Sequence, residues 1–206
     1  MRFNLLQSTL IAATMVLGNA ALADTTSEKV EQPQAESGLD FLLTLGLTAG
    51  GDKLGNMIYT NGKSSSVHAG GMVQLGAGLY WRAKDMPLSV KVTGNYHVDG
   101  ATASNGDLTF RRFPIEFVGA YHFNERWSLG TGPRLVKKPK LSLSLDGQGG
   151  SGEFDDTVGW IVEGAYNFSP KAGFVVRYVK EEYETKGYRP LKFDGSHIGL
   201  MLDMRF

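Results

Sequence analysis

The chain has 206 residues, and its 21 Lys plus Arg balance 21 Asp plus Glu, so it offers no basic excess to attract nucleic acid. It has no cysteine, which excludes disulfide bridges and thiolate metal sites. Glycine and aromatic residues are plentiful and no stretch past residue 38 follows the helical period, so the composition points to strands and turns.

The first 23 residues fit a cleaved signal peptide. Arg2 supplies the basic start, Leu10 to Leu17 the apolar stretch, and Ala21-Leu22-Ala23 the small-residue cleavage site, so the mature chain is expected to begin at Asp24. A retained membrane helix is the alternative, but Gln7, Ser8, Thr9 and Asn19 interrupt a stretch that falls short of the roughly 20 apolar residues a span needs. Residues 24–37 are polar, with Pro33 and no aromatic, and read as a disordered periplasmic tail. Residues 38–206 form one domain without a further break in composition.

Along that domain the signal is period-two alternation. Eight strands are expected, near residues 38–50, 66–81, 88–98, 109–123, 127–137, 155–168, 172–182 and 196–206. The first turns Leu39, Phe41, Leu43, Leu45 and Leu47 to one side, and the second Val67, Val73, Leu75, Leu79 and Trp81. The third and fourth present Leu88, Val90, Val92, Tyr96 and Phe113, Ile115, Phe117, Tyr121. Trp127, Leu129 and Leu135 follow, then the run Val158 to Phe168, then Phe174, Val176 and Tyr178. The last strand alternates Ile198, Leu200, Leu202, Met204 and Phe206 with His197, Gly199, Met201, Asp203 and Arg205. No apolar face carries a charge.

Connections alternate in length. Those at 82–87, 124–126 and 169–171 are tight, whereas those around Asn61, Ser104, Gly147 and Lys186 are longer and, where rich in Gly and Ser, read as flexible tips. Short periplasmic turns, longer outer loops and strands of roughly 10 residues are the outer-membrane arrangement. With odd strands running outward, Phe41, Trp81, Tyr121, Phe123, Trp127, Tyr166, Phe168, Phe174 and Phe206 gather at the short-turn end, with Tyr96, Phe113, Trp160 and Tyr178 near the other rim. A soluble lipocalin-type barrel would turn the apolar face inward instead. The opposite face here is rich in small residues, including Gly46, Gly70, Gly76, Gly78, Ala120, Gly130 and Gly132, as a narrow crowded lumen requires. The fold expected is therefore all-β, an eight-stranded antiparallel up-and-down transmembrane β-barrel in the cell outer membrane.

These strands, the run Phe117 to Gly130 with its tight turn, and the terminal Phe206 resemble the broad family of small bacterial outer-membrane barrels that includes the OmpA transmembrane domain, OmpX and the opacity-type proteins. The resemblance rests on architecture and not on a chemical motif. It implies insertion by the outer-membrane assembly machinery, with Phe206 as the assembly signal.

An eight-stranded barrel is just wide enough for its own side chains. The inward set pits Lys91, Arg112, Arg134, Arg177 and Arg205 against Glu116, Glu163 and Asp203, an ion-pair network expected to fill the lumen, because unpaired buried charges cost several kcal/mol. A narrow path for small solutes is the alternative. A lipid hydrolase or protease would need a nucleophile, a base and an orienting group together. His97 and His122 face inward and Ser89 and Ser128 lie elsewhere in the wall, but no diagnostic spacing links them, so no enzymatic activity and no cofactor are expected. His68, His97 and His197 fall near the outer rim with Asp52 and Asp99, a weak zinc or copper site at most, and no metal is assigned. Expected partners are outer-membrane lipids including lipopolysaccharide, and the assembly machinery. The outer loops suit surface contact with host, phage or lipopolysaccharide, and a monomer is expected.

Overall fold

The computed structural model describes residues 38–58, 63–103, 106–145 and 148–206. The expected signal peptide at 1–23 and tail at 24–37 lie outside the described residues, as do Asn61, Ser104 and Gly147. The strands are β1 (Gly38–Gly50), β2 (Lys53–Ile58), β3 (Ser64–His68), β4 (Met72–Arg82), β5 (Leu88–Ala103), β6 (Gly106–His122), β7 (Trp127–Leu145), β8 (Gln148–Glu153), β9 (Thr157–Ser169), β10 (Ala172–Lys180), β11 (Glu182–Glu184), β12 (Lys192–Asp194) and β13 (His197–Arg205). Eight of them close a ring in the order β1, β4, β5, β6, β7, β9, β10, β13 and back to β1. Every pair in the ring is antiparallel.

Register keeps the two faces separate all the way round. Leu43 pairs with Met204, Leu45 with Leu202 and Leu47 with Leu200, so apolar residues meet apolar residues across the closing seam. On β5, Leu88, Val90, Val92 and Tyr96 are exposed while Ser89, Lys91, Thr93, Asn95, His97 and Asp99 are buried. That inversion is opposite to a soluble ligand-binding barrel and fits hydrocarbon outside. Inside, packing at Gly76 is tight: a Cβ there would overlap Asn95 Oδ1 and the Thr44 methyl.

The short connections close as their composition requires. In the turn between β6 and β7, Asn124 Oδ1 accepts hydrogen bonds from the backbone N–H of Arg126 and of Trp127, each at 2.9 Å, an Asx turn that reverses the chain in few residues.

At the opposite end the structure departs from expectation. Strand β7 has 19 residues, about 60 Å at ~3.3 Å per residue, far more than the ~10 residues a tilted span needs. The β5–β6, β6–β7 and β7–β8 pairings continue to Ala103↔Gly106, Gly106↔Leu145 and Leu145↔Gln148, so what reads as loops around Ser104 and Gly147 is flanked by extended hairpins. Leu141, Leu143 and Leu145 alternate with Ser142 and Ser144, and the glycine-rich Gln148 to Gly152 pairs beside them. The expected strand at 66–81 is broken. Residues up to His68 belong to the β2–β3 hairpin, and the barrel strand starts at Met72. Glycine permits the turns at the base of that hairpin: Gly51 sits at φ +77°, and a Cβ on Gly70 would press on His197 and the carbonyls of Gly50 and Gly195.

The hairpin and its neighbours carry an apolar core. Met57, Val67, Ala69, Ala101, Leu108, Phe110, Val136, Phe154 and Tyr183 pack together, so Val67 belongs to the interior and not to the outward face. Phe110 meets Phe154 and Tyr183 edge-on, each at 5.4 Å between centroids. Replacing Phe110, which is fully buried, by alanine should cost about 3–5 kcal/mol. Denaturant unfolding of the refolded barrel measures this, and a midpoint unchanged from wild type would contradict the packing.

Candidate functional site

Because side chains alternate along each strand, the inward positions of separate strands converge on one axis. Glu116 of β6 is the hub. Its Oε1 accepts from Arg134 Nη1 of β7 and, at 3.2 Å, from Arg177 Nη1 of β10, while its Oε2 accepts from Arg177 Nη2 at 3.0 Å. Gln74 Nε2 adds a further bond to Oε1 at 3.1 Å. Arg177 also reaches Glu163 Oε2 at 2.9 Å, Glu163 Oε1 lies 2.7 Å from Lys91 Nζ, and Lys91 lies 3.0 Å from Asp203 Oδ2. In the outward direction Arg134 Nε meets Glu181 Oε2 at 2.9 Å, and Tyr183 OH donates to Glu181 Oε1 at 2.6 Å. The chain of contacts crosses the lumen: β6 and β10 are three strands apart in the ring, as are β5 and β13.

Two of the cations expected in this network behave differently. Arg112, with no exposed surface, forms no ion pair among the described residues; it donates to Gly71 O at 3.1 Å and lies over the Phe110 ring at 4.9 Å and the Tyr183 ring at 5.9 Å. Arg205 donates to Asn167 Oδ1 at 2.6 Å and stacks over Tyr80 at 4.6 Å. Glu181, Tyr183 and Gln74 were not anticipated. Continuing inward parity from Arg177 through Val179 reaches Glu181, so that residue was accessible from sequence. Tyr183 lies beyond the expected strand end.

The histidines divide. His97 Nδ1 lies 2.9 Å from Arg134 Nη2 and its Nε2 lies 2.8 Å from Thr48 Oγ1, so both ring nitrogens are engaged. His197 is 5.3 Å away between centroids, with its Nδ1 on Gly195 O. His68 does not join them: its backbone N–H donates to Asp99 Oδ2. No group of three or more His, Cys, Asp or Glu residues suited to a metal occurs among the described residues. His122 Nε2 does lie 2.8 Å from Ser89 Oγ, but its Nδ1 has no hydrogen-bond partner among the described residues. The cavity they line, with Tyr80, Lys91, Glu163 and Arg205, is about 40 Å³, room for water but not for an acyl chain or peptide.

No known family model matches the sequence, and no curated protein matches it. Among solved structures, the barrel is similar to Neisserial surface protein A, at 12% identity over 82% of this chain and 98% of that one, with a TM-score of 0.54. It is also similar to Ail, the attachment invasion locus protein of Yersinia pestis, at 15% identity over 83% and 99% of the two chains, with a TM-score of 0.50. This chain has the fold of a small outer-membrane β-barrel.

The outer-membrane setting orients the molecule. Exposed Phe41, Trp81, Tyr121, Trp127, Phe174 and Phe206 mark the periplasmic interface, and the long hairpins face outward. At the seam, Phe206 N donates to Phe41 O at 2.9 Å and Phe41 N to Phe206 O at 3.3 Å. Phe206→Asp would place a charge beside that apolar band, and outer-membrane abundance should fall clearly in fractionated cells; wild-type abundance would deny Phe206 a role in assembly. Glu116→Gln should destabilise the folded barrel by about 3–5 kcal/mol, because Arg134 and Arg177 lose their shared counter-charge. Adding Arg177→Gln should recover part of the loss in the same unfolding assay, and strict additivity of the two losses would show that the pair is not coupled.

Proposed function

We propose that this outer-membrane barrel is a sealed scaffold with a structural or surface-contact role, carried out by its ordered outer hairpins. The lattice centred on Glu116 supports this reading, since its side chains span the lumen at mid-height and Arg112, Arg134 and Glu116 are almost wholly shielded. A hydrated path would need those groups to face water. A second barrier lies above it, where Phe110, Phe154 and Tyr183 fill the outer mouth. The reading is non-enzymatic: the Ser89–His122 contact faces a small cavity, and among the described residues no carboxylate is hydrogen-bonded to His122 Nδ1.

Partners follow from the same reading. Outer-membrane lipids, including lipopolysaccharide, surround the apolar band, the assembly machinery is met transiently during insertion, and the barrel works as a monomer without nucleic acid. Hairpins held by ladder hydrogen bonds present a fixed surface, which lowers the ordering cost of a contact.

Purified barrel reconstituted in planar bilayers should give no steady single-channel current. Large, long-lived conductance steps, lost on heat unfolding, would overturn the sealed lumen in favour of a solute channel.

A further inference from the structure

The apolar band on the outside of the barrel is interrupted on β4, β5 and β6. Gly94 of β5 pairs with Ala77 on one side and Ile115 on the other, and nothing lies within 4 Å of a Cβ built on it. The result is a largely apolar hollow of about 580 Å³ below the Tyr96–Phe113 ring pair, whose centroids are 5.4 Å apart, with Lys137 as its charged lining residue. Those rings belong to the outer aromatic girdle, so the hollow lies at hydrocarbon depth.

Directly above, and sharing Phe113, is a second cleft of about 470 Å³ containing Arg111, Lys138, Lys140 and Lys186. A bulge builds it. Arg111 pairs with Lys140 and Phe113 with Lys137, so two residues of β7 oppose one of β6, and Lys138 is turned to φ +49°. Lys137 is paired with Asp156 at 3.0 Å, and Asp156 also accepts the Lys138 backbone N–H at 2.9 Å. Those two donors hold the Asp156 carboxyl below its ordinary range, so it stays ionised. Glu153 is shared between Lys140 at 3.9 Å and Lys186 at 3.7 Å. The four cations of the cleft therefore face two carboxylates, one of them shared with Lys137 at the edge of the hollow, and the side chains of Arg111 and Lys138 form no ion pair or hydrogen bond among the described residues. Arg111 stands one outward step, ~6.8 Å, beyond Phe113, which is headgroup level.

We propose that this face docks a bisphosphorylated glycolipid of the outer leaflet, with phosphate between Arg111 and Lys138 and one acyl chain in the hollow over Gly94. The planar guanidinium suits bidentate contact with phosphate, and the left-handed Lys138 aims its ammonium into the same cleft. An excess of two positive charges in the cleft exceeds what a single phosphodiester supplies, which favours a lipid with two phosphates over a phospholipid. The site lies outside the barrel wall and does not depend on the sealed lumen.

The test uses the folded mature barrel in detergent micelles, with retained lipid read by native mass spectrometry. The probes are bisphosphorylated lipid A, its monophosphorylated form, phosphatidylglycerol and inorganic phosphate. Affinity should fall in the order bisphosphorylated, monophosphorylated, phosphatidylglycerol, and inorganic phosphate should not displace the lipid. Arg111→Gln with Lys138→Gly, which keeps the left-handed backbone, should weaken lipid A binding about tenfold or more through loss of two charge-assisted contacts. Gly94→Val, or Ala77→Leu if the first does not fold by its heat-modifiable migration, should weaken it by filling the hollow. Unchanged binding in the charge variant or in the folded hollow variant, equal retention of phosphatidylglycerol, or displacement by inorganic phosphate would each overturn the proposal.

Discussion

In hydrocarbon, a backbone N–H or C=O without a partner costs several kcal/mol, and that constraint organises the rest of this molecule. A sheet can meet it only by closing on itself. Here closure is completed by β13 returning to β1, and the reciprocal bonds between Phe41 and Phe206 continue the ladder to the last residue. The side-chain pattern follows from it, because a closed sheet in lipid must be apolar outside, and period-two geometry then sends every second residue inward whatever its polarity. Lys91 and Glu116 are interior because Val92 and Phe117 must be exterior.

Eight strands leave a narrow lumen in which most of these charges are buried. The solution is balance at short range. Lys91, Arg112, Arg134, Arg177 and Arg205 face inward, against Glu116, Glu163, Glu181, Asp203 and Asp99. Neutrality alone would not suffice, since each buried ion also loses its hydration and needs hydrogen bonds in return. Arg134 obtains them from Glu116 and Glu181, with Gln74 Oε1 at 3.1 Å. Arg112 and Arg205, with fewer oxygens in reach, lie against aromatic faces instead.

The sequence and the structure agree where lipid sets the pattern. From Leu88 to Asp99 strict alternation marks strand, direction and inward residues together, because both faces are under opposite constraints. Agreement fails at the outer end, where lipid no longer acts. Leu141 to Leu145 still alternates, yet the glycine-rich partner Gln148 to Gly152 has no side-chain pattern of its own and reads as a flexible tip. Val67 shows a second cause of failure. In lipid-level strands an apolar residue points outward, whereas in the β2–β3 hairpin the same residue type turns into a water-excluding core, and parity cannot tell the two apart. The cross-lumen contact between Glu116 and Arg177 was likewise illegible, since inward parity identifies which residues share the lumen but not which strands face each other across it.

The polar lattice and the apolar core above it are joined through two residues. Glu181 receives Arg134 from below and the Tyr183 hydroxyl from above, so the same carboxylate neutralises a lattice cation and orients a ring of the outer core. Arg112 makes the complementary connection, with its guanidinium in the lumen and its face against Phe110 and Tyr183. A polar and an apolar compartment stacked in one narrow tube would otherwise meet at an interface of unsatisfied groups. Tyr183 removes one such group, because its ring is wholly buried among aromatics while its single polar atom reaches down to the carboxylate, although Arg112 Nε and Nη1 have no hydrogen-bond partner among the described residues. The outer core is thus joined to the membrane-level charges at Glu181, the residue that also links β10 of the wall to β11.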